Sequence, residues 1–421
     1  MFNLQPWTTA AAVFVSNCGF WLFCFNRVNA SGWPRKTTKR FEKLFVLLCV
    51  AIPALIFGLD RAILVPWLLD SSAWWPASAH FFTPWGMFCL ISAAILGPPW
   101  LESRRWIWPP SNLLNSQAQR FNVGRELQQR GHAVTSGLRT TLLNKLPGNE
   151  ITQLEVNRKL LRLPRHIAGI DGLTIGHISD LHFTGYYSID YYHFVIDQLL
   201  AQQPELIMIA GDIIDYSRCL PWIEPVLGRL RAPLGCTYVL GNHDKRIVDL
   251  HEVTNRLDAL GHFDAGRGDQ WLQRTGGGAI YVAGNELPWF RRHQSELLHE
   301  PFDMHSSAHE RSSLAPNAVH PQQHARTLRL GLSHSPDQIV WARRRQLDLL
   351  LAGHTHGGQV RIPGLGPLVS PSRFGSRFAS GVFYRDPVLM HVSRGISGTH
   401  ALRWRCLPEV SLLTLCCNED S

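Results

Sequence analysis

The sequence predicts an α/β domain preceded by an N-terminal helical transmembrane region. Three observations carry this. Apolar and aromatic residues crowd the first hundred positions, acids and histidines gather after position 165, and from residue 170 short β-rich apolar runs alternate with helix-like segments. A chain of 421 residues allows two or three units at ~100 to 200 residues each.

The N-terminal region comes first. Residues 7–25 (WTTAAAVFVSNCGFWLFCF), 44–59 (LFVLLCVAIPALIFGL) and 84–101 (PWGMFCLISAAILGPPWL) each approach the length that a bilayer requires. Trp74 and Trp75 lie in the link before the third run, where an interface favours tryptophan. Arg27, Arg35, Lys36, Lys39, Arg40 and Lys43 stand between the first two runs, and Arg104, Arg105, Arg120 and Arg125 follow the third. The positive-inside tendency keeps both flanks cytoplasmic, which three crossings satisfy with the N-terminus outside; two crossings, with the first run as a signal, leave the rest of the chain on the same side. The opening has no cationic n-region and no small-residue cleavage site, so residues 1–103 are read as a retained anchor, against the alternative of a buried helical bundle.

Residues 104–169 read as a basic, partly helical linker near the headgroups. Residues 170–421 read as the α/β domain. LTIGHIS, ELIMIAG, CTYVLG, AIYVAG, LRLGLS and LDLLLAG look like buried strands, and SIDYYHFVIDQLLAQQ carries helical spacing. A polar stretch at 289–327 includes six histidines without a ligand rhythm and reads as a flexible surface insertion.

Composition narrows the function. The net charge of +9 comes without a stripe of basic and aromatic residues in the second half, so membrane-surface contact explains it better than nucleic acid, which is not expected as a partner. Nine scattered cysteines without CxxC spacing read as reduced core residues.

Five of the strands end in metal-binding side chains: Asp180 and His182, then Asp212, then Asn242 and His243, then His334, then His354 and His356. In open α/β sheets the crevice beyond the carboxyl ends of strands is where ligands sit, so five strand ends can surround one point. A phosphate ester resists an anionic nucleophile, and its leaving alkoxide is basic. Two cations ~3.5 to 4 Å apart answer both problems by neutralising phosphoryl oxygens and by lowering the pKa of a bridging water. Such a pair needs a bridging carboxylate, for which Asp212 is the natural choice. Imidazole, carboxylate and amide ligands suit manganese, iron or zinc better than calcium.

The blocks SDLH, GDIID, GNHD, SHSPD and GHTH, in this order over residues 172–417, closely resemble the calcineurin-like metallophosphoesterase family. The resemblance implies a four-layer αββα sandwich of two mixed sheets flanked by helices. It implies two divalent metal ions, the first held by Asp180, His182 and His356, the second by Asn242, His334 and His354, with Asp212 bridging. It further implies that His243 gives a proton or hydrogen bond to the departing oxygen while Asp215 fixes its tautomer. GHTHGGQVRIP and VSRGISGTHALRWRCLPEVSLLTL are similar to the membrane-associated branch typified by the YkuE and YaeI phosphodiesterases, although the long N-terminal region and the polar insertion depart from it. Gly357 and Gly358 would let the backbone turn beside the metals, and Arg394 would reach a substrate phosphate; a turn pair and a structural arginine are the opposing reading.

These observations lead to the expectation of a membrane-anchored phosphoesterase acting on a phosphodiester, pyrophosphate or phosphomonoester bond. Membrane lipids and a lipid-linked substrate are the expected partners, and UDP-2,3-diacylglucosamine is one concrete case by resemblance. Two alternatives stand beside it: a phosphatase for soluble phosphoproteins or nucleotides, and a receptor or scaffold with a metal-stabilised domain. GDIIDYS and GNHDK, where protein phosphatases of the family show GDxVDRG and GNHE, weigh against the first.

Overall fold

The computed structural model describes residues 4–103, 109–290, 326–398 and 400–417. The chain divides into two units, Met1–Ile107 with Leu368–Arg377 and Trp108–Pro367 with Phe378–Ser421.

The first unit holds α1 (Gln5–Asn29), α2 (Arg35–Leu59), α3 (Arg61–Asp70) and α4 (Phe82–Glu102). Three of them, α1, α2 and α4, are long and apolar enough to cross a membrane, and few of their residues are buried within the protein, unlike a soluble bundle. Asp60, between α2 and α3, is buried and accepts the N–H groups of Phe81 and Phe82 at the start of α4. The amide of Asn26 bonds to the carbonyl of Leu368 and to the N–H of Ser370, tying the later segment to α1.

In the second unit the helices are α5 (Val123–Gln129), α6 (Leu138–Asn144), α7 (Ile189–Leu200), α8 (Ile223–Leu227), α9 (Leu250–Ala259) and α10 (Ile339–Arg344). Its first sheet has the order β1 (Leu113–Phe121), β2 (Leu154–Arg162), β15 (Glu409–Cys416), β3 (Thr174–Ile178), β4 (Leu206–Ala210), β5 (Cys236–Val239), β6 (Phe263–Asp264). The second has the order β13 (Gly381–Arg385), β14 (Val388–Val392), β10 (Leu349–Ala352), β9 (Thr327–Ser333), β8 (Ala279–Asn285), β7 (Gln270–Gln273). A short hairpin pairs β11 (Arg361–Ile362) with β12 (Gly366–Pro367). Both large sheets are mixed, with β3 to β6 parallel in one and β8, β9, β10 and β14 parallel in the other.

Strand β4 shows why the layers stack. Leu206, Met208 and Ala210 enter a core shared with Leu328, Leu330 and Leu332 of β9, while Ile207 and Ile209 face a second core with residues of α7, α8 and α9. Period-two alternation therefore buries both faces of one strand, at ~1.5 to 3 kcal/mol for each large side chain. On the far side of the second sheet, Trp341 of α10 packs beside Gly331. The expected arrangement of two mixed sheets between helical layers is the one observed.

The stretch expected as a basic linker differs. Residues 113–121 and 154–162 form β1 and β2, antiparallel to each other, and β2 runs parallel to β15, so most of 104–169 belongs to the second unit. Sheet pairing organises a polar sequence that lacks a strand pattern of its own. Of the expected insertion at 289–327, Thr327 opens β9, and residues 291–325, with the six histidines, lie outside the described residues.

Candidate metal centre

Five strands, β3, β4, β5, β9 and β10, deliver the cluster from their carboxyl ends. The turns after them are sharp. Asp180, His182, Asp212, His354 and His356 all have φ between 46° and 70°, a left-handed conformation that costs a non-glycine residue about 1 to 3 kcal/mol and persists only where surroundings enforce it. The enforcing bonds are visible. Asp180 N–H donates to the Gly211 carbonyl at 3.0 Å, His182 N–H to that of Asp212 at 2.8 Å, and His243 N–H to Asp212 Oδ1 at 2.7 Å. Asp244 accepts from the N–H groups of Ile213 and Ile214 with one oxygen and from that of Gly241 with the other. It staples the loop carrying Asp212 to the one carrying Asn242, a role that the GNHD block alone does not reveal.

Two glycines are required by the packing. A Cβ on Gly241 would lie 2.2 Å from Asp212 Oδ1, and one on Gly353 would lie 2.6 Å from Asp180 Oδ2.

The side chains converge as two groups sharing one carboxylate. Asp180, His182, Asp212 and His356 form the first, and Asp212, His334 and His354 the second, each with its ligand atoms within 4.8 Å of one another. Asn242 Oδ1 joins the second at 3.2 Å from His334 Nε2. Asp212 Oδ2 lies 3.5 Å from His182 Nε2 and 3.2 Å from His334 Nε2, yet this buried atom receives no hydrogen bond of good geometry.

The tautomers follow from the outer partners. His182 Nδ1 donates to Asp215 Oδ2 at 2.7 Å, His356 Nδ1 to the Ser397 carbonyl at 3.2 Å and His334 Nδ1 to the Ala210 carbonyl at 2.7 Å. In the neutral rings the inward nitrogens are then bare. His182 Nε2 and His356 Nε2 face each other at 3.2 Å, while His334 Nε2 lies between the amide oxygen of Asn242 at 3.2 Å and His354 Nδ1 at 3.1 Å. Lone pair set against lone pair in a buried site is an arrangement that a cation relieves, and with the unbonded Asp212 oxygen it shows that these residues fit metal ions.

The electrostatics agree. Burial, then the neighbouring His334, holds His354 well below the usual imidazole range, and burial, then His182, does the same for His356. Burial pushes His334 down as well, but Asp212 and Asp180 overcome it and raise it to about 9. Asp212 is held well below its ordinary value because His334, His243 and His182 outweigh its burial. The carboxylates attract positive charge that metal ions would supply in place of protons.

At the edge of the cluster, His243 Nδ1 bonds to Asp215 Oδ1, as expected, and Asp215 also anchors His182. Arg246, which the sequence reading missed, reaches both: Nη1 donates to Asp215 Oδ1 at 2.7 Å and Nη2 to His243 Nε2 at 2.6 Å. The indole of Trp289 covers the second group, 4.7 Å from the His354 ring and 5.3 Å from that of His334. Neither residue carries a motif signal beyond its nearness to GNHD or to the end of β8.

The substrate role expected for Arg394 is not what the structure shows. Its Nε donates to Glu409 Oε2 and its Nη2 to Glu155 Oε1, both at 2.6 Å, so a largely buried ion-pair cluster occupies the guanidinium. Glu155, on β2, is the partner that a linker reading of that stretch concealed. Gly357 and Gly358 serve the turn, with φ of 62° and 80°; a Cβ on Gly357 would lie 2.7 Å from Cys406 Sγ.

Residues 173–358 match the family model for calcineurin-like phosphoesterases. Among curated proteins, the chain is 28% identical over 251 residues to the uncharacterized metallophosphoesterase YkuE of Bacillus subtilis, covering 59% of this chain and 80% of that protein. It is 26% identical over 240 residues to phosphodiesterase YaeI of Escherichia coli, covering 56% and 80%. It is 23% identical over 294 residues to the UDP-2,3-diacylglucosamine pyrophosphatase LpxG of Chlamydia muridarum, covering 62% and 88%.

Proposed function

We propose, from the premise that this chain carries a calcineurin-like metallophosphoesterase domain and is a hydrolase of phosphoric ester bonds, that it is a membrane-anchored enzyme cleaving a phosphodiester or pyrophosphate bond in a lipid-linked substrate. The observation that carries the chemistry is Asp212 Oδ2, buried, without a hydrogen bond, and shared by both ligand groups. Asp180, His182 and His356 would hold one metal ion, Asn242, His334 and His354 the other, and Asp212 both. Bound divalent ions supply Lewis acidity and a nucleophile at neutral pH; manganese, iron and zinc all suit the donor set.

The protein groups do the rest. Asp215 orients two imidazoles at once, which keeps His182 Nε2 turned toward Asp212 and His243 Nε2 turned toward Arg246. Arg246, whose side chain is 22% exposed while it bonds to Asp215 and His243, would bring positive charge near phosphoryl oxygens. To serve the departing oxygen, His243 Nε2, which here accepts from Arg246, would have to leave that bond and take up a proton, and the Trp289 ring stands beside the second group.

The lipid-linked substrate rests on two supports. Three helices are long and apolar enough to cross a bilayer, and an anchor of that kind would raise the concentration of any ester held in the same membrane. A relative matched over 88% of its own length is, by its name, a UDP-2,3-diacylglucosamine pyrophosphatase. The basic flanks around residues 27–43 and 104–125 favour the cytoplasmic side for the domain.

The test is a screen of natural phosphodiesters and lipid extracts against the purified, metal-loaded chain and Asp212→Asn. Hydrolysis of a lipid diester or pyrophosphate by the wild type alone supports the reading. Absence of hydrolysis in the wild type, or equal rates in both proteins, contradicts it.

A further inference from the structure

We infer that the second unit carries its own bilayer-docking face beside the metal centre, built for an anionic phospholipid surface. This rests on the reading of the chain as a membrane-anchored phosphoesterase and adds the surface that presents the centre to the lipid.

The face starts at α6. Thr140 is its buried residue and Leu143 packs on the core, whereas Leu138 and Leu142, one turn apart, are 78% and 55% exposed. Leu146, just past the helix, continues the row at 46%. This is an amphipathic helix whose apolar stripe faces outward.

The row does not stand alone. Asn149, three residues on, bonds to the carbonyls of Leu143 and Ala401 and accepts the N–H of Arg403. A Cβ on Gly148 would lie 2.9 Å from the indole nitrogen of Trp404, itself 43% exposed. Trp404 bridges Val360, and its carbonyl accepts the N–H of Arg361 at the start of the β11–β12 hairpin, whose tip exposes Leu365. Three segments remote in sequence thus share one surface, and an exposed apolar patch of this kind marks an interaction site.

Charge identifies the occupant. Residues 136–150, 357–367 and 400–405 contain Arg139, Lys145, Arg361 and Arg405 together with the buried Arg403, against one acid, Glu150, whose carboxylate accepts the N–H of Cys406. Leucines, an interfacial tryptophan and an excess of lysine and arginine over acid form the composition that enters the headgroup region of an anionic leaflet. A water-soluble partner of opposite charge would not need the leucine row, and a second copy of the chain would bring like charge against like.

The face adjoins the ligands. Cys406 Sγ donates to the carbonyl of His356 at 3.2 Å, and Gly357 and Gly358 separate His356 from the segment leading to the hairpin. Docking would hold the metal centre at the level of headgroup esters.

The test uses the full-length protein in nanodiscs of phosphatidylcholine and phosphatidylglycerol, the former carrying a photoreactive group, with adducts mapped by mass spectrometry. Adducts are expected on the 138–146 and 400–405 peptides as well as on α1, α2 and α4. Their yield on the two peptides should fall several-fold in Arg139→Glu/Lys145→Glu, in Leu138→Ser/Leu142→Ser, and in discs without phosphatidylglycerol. Adducts confined to the three helices, or a yield on the two peptides unchanged by the four substitutions, overturn the inference. Asp212→Asn run in parallel should lose hydrolysis of bis-p-nitrophenyl phosphate and keep the adducts. Wild-type hydrolysis without domain adducts sinks the docking face alone, whereas adducts without wild-type hydrolysis sink only the phosphoesterase reading.

Discussion

His182 donates a hydrogen bond from Nδ1 to Asp215 Oδ2 across 2.7 Å, and both side chains are fully buried. The bond fixes the ring so that Nε2 turns toward Asp212, and it commits the same carboxylate that holds His243. One acid therefore orients a metal ligand and a candidate proton donor together.

Asp215→Asn should accordingly weaken metal binding as well as turnover. An amide can accept from one imidazole but presents N–H groups where the other needs an acceptor. Loss of such an outer partner lowers metal affinity by about 10- to 100-fold. Competition with a chelator measures it, and excess metal should restore occupancy before it restores rate. An unchanged affinity would show that Asp215 serves His243 only.

Gly241→Ala tests the closeness of two loops. The added Cβ, 2.2 Å from Asp212 Oδ1, must displace the shared carboxylate. A shift of about 1 Å at such a position costs on the order of 10²-fold in rate. Gly268→Ala is the control, because its Cβ would meet only Phe263 at 3.9 Å. Steady-state rates on a soluble diester should fall for the first and hold for the second.

Arg394→Ala should act on stability. Removing the guanidinium leaves Glu155 and Glu409 buried with less compensation, and breaking a buried pair costs about 3 to 5 kcal/mol. The melting temperature should drop with little change in KM for the folded fraction. A raised KM at unchanged stability would return Arg394 to substrate binding.

Glu286 sets a pH dependence away from the cluster. Burial, opposed by the Leu240 N–H and by Arg267 and reinforced by Asp264 and Asp244, pushes its carboxyl up to about 8. Its folded pKa exceeds its unfolded value of 4.5, so the folded chain binds a proton that the unfolded chain has released. This contribution is full below the unfolded value and is lost as pH rises through the folded one. Glu286→Gln keeps the acceptor for Leu240 and removes the titration. Its melting temperature should gain on the wild type steadily from about pH 5 to about pH 8; parallel curves would refute the assignment.

Much of this was legible because strand and ligand signals coincide. Each of β3, β4, β5, β9 and β10 is an apolar run buried on both faces and followed at once by its ligands, so local pattern and tertiary placement agree. Strand β1 was not legible. LLNSQAQRF is polar and mostly exposed, and only its pairing with β2 makes it a strand. The commitment of Arg394 was hidden for the same reason, since Glu155 lies 239 residues away in sequence. Arg246 sits in an unremarkable DKR run, and only the fold brings its guanidinium to His243.

The most direct measurement is metal content by elemental analysis, paired with hydrolysis of bis-p-nitrophenyl phosphate, for the wild type and Asp212→Asn. Two metal ions for each wild-type chain are expected, with the variant losing bound metal and its rate falling to background. A variant that keeps the full metal complement and the wild-type rate would contradict the shared carboxylate on which the site is built.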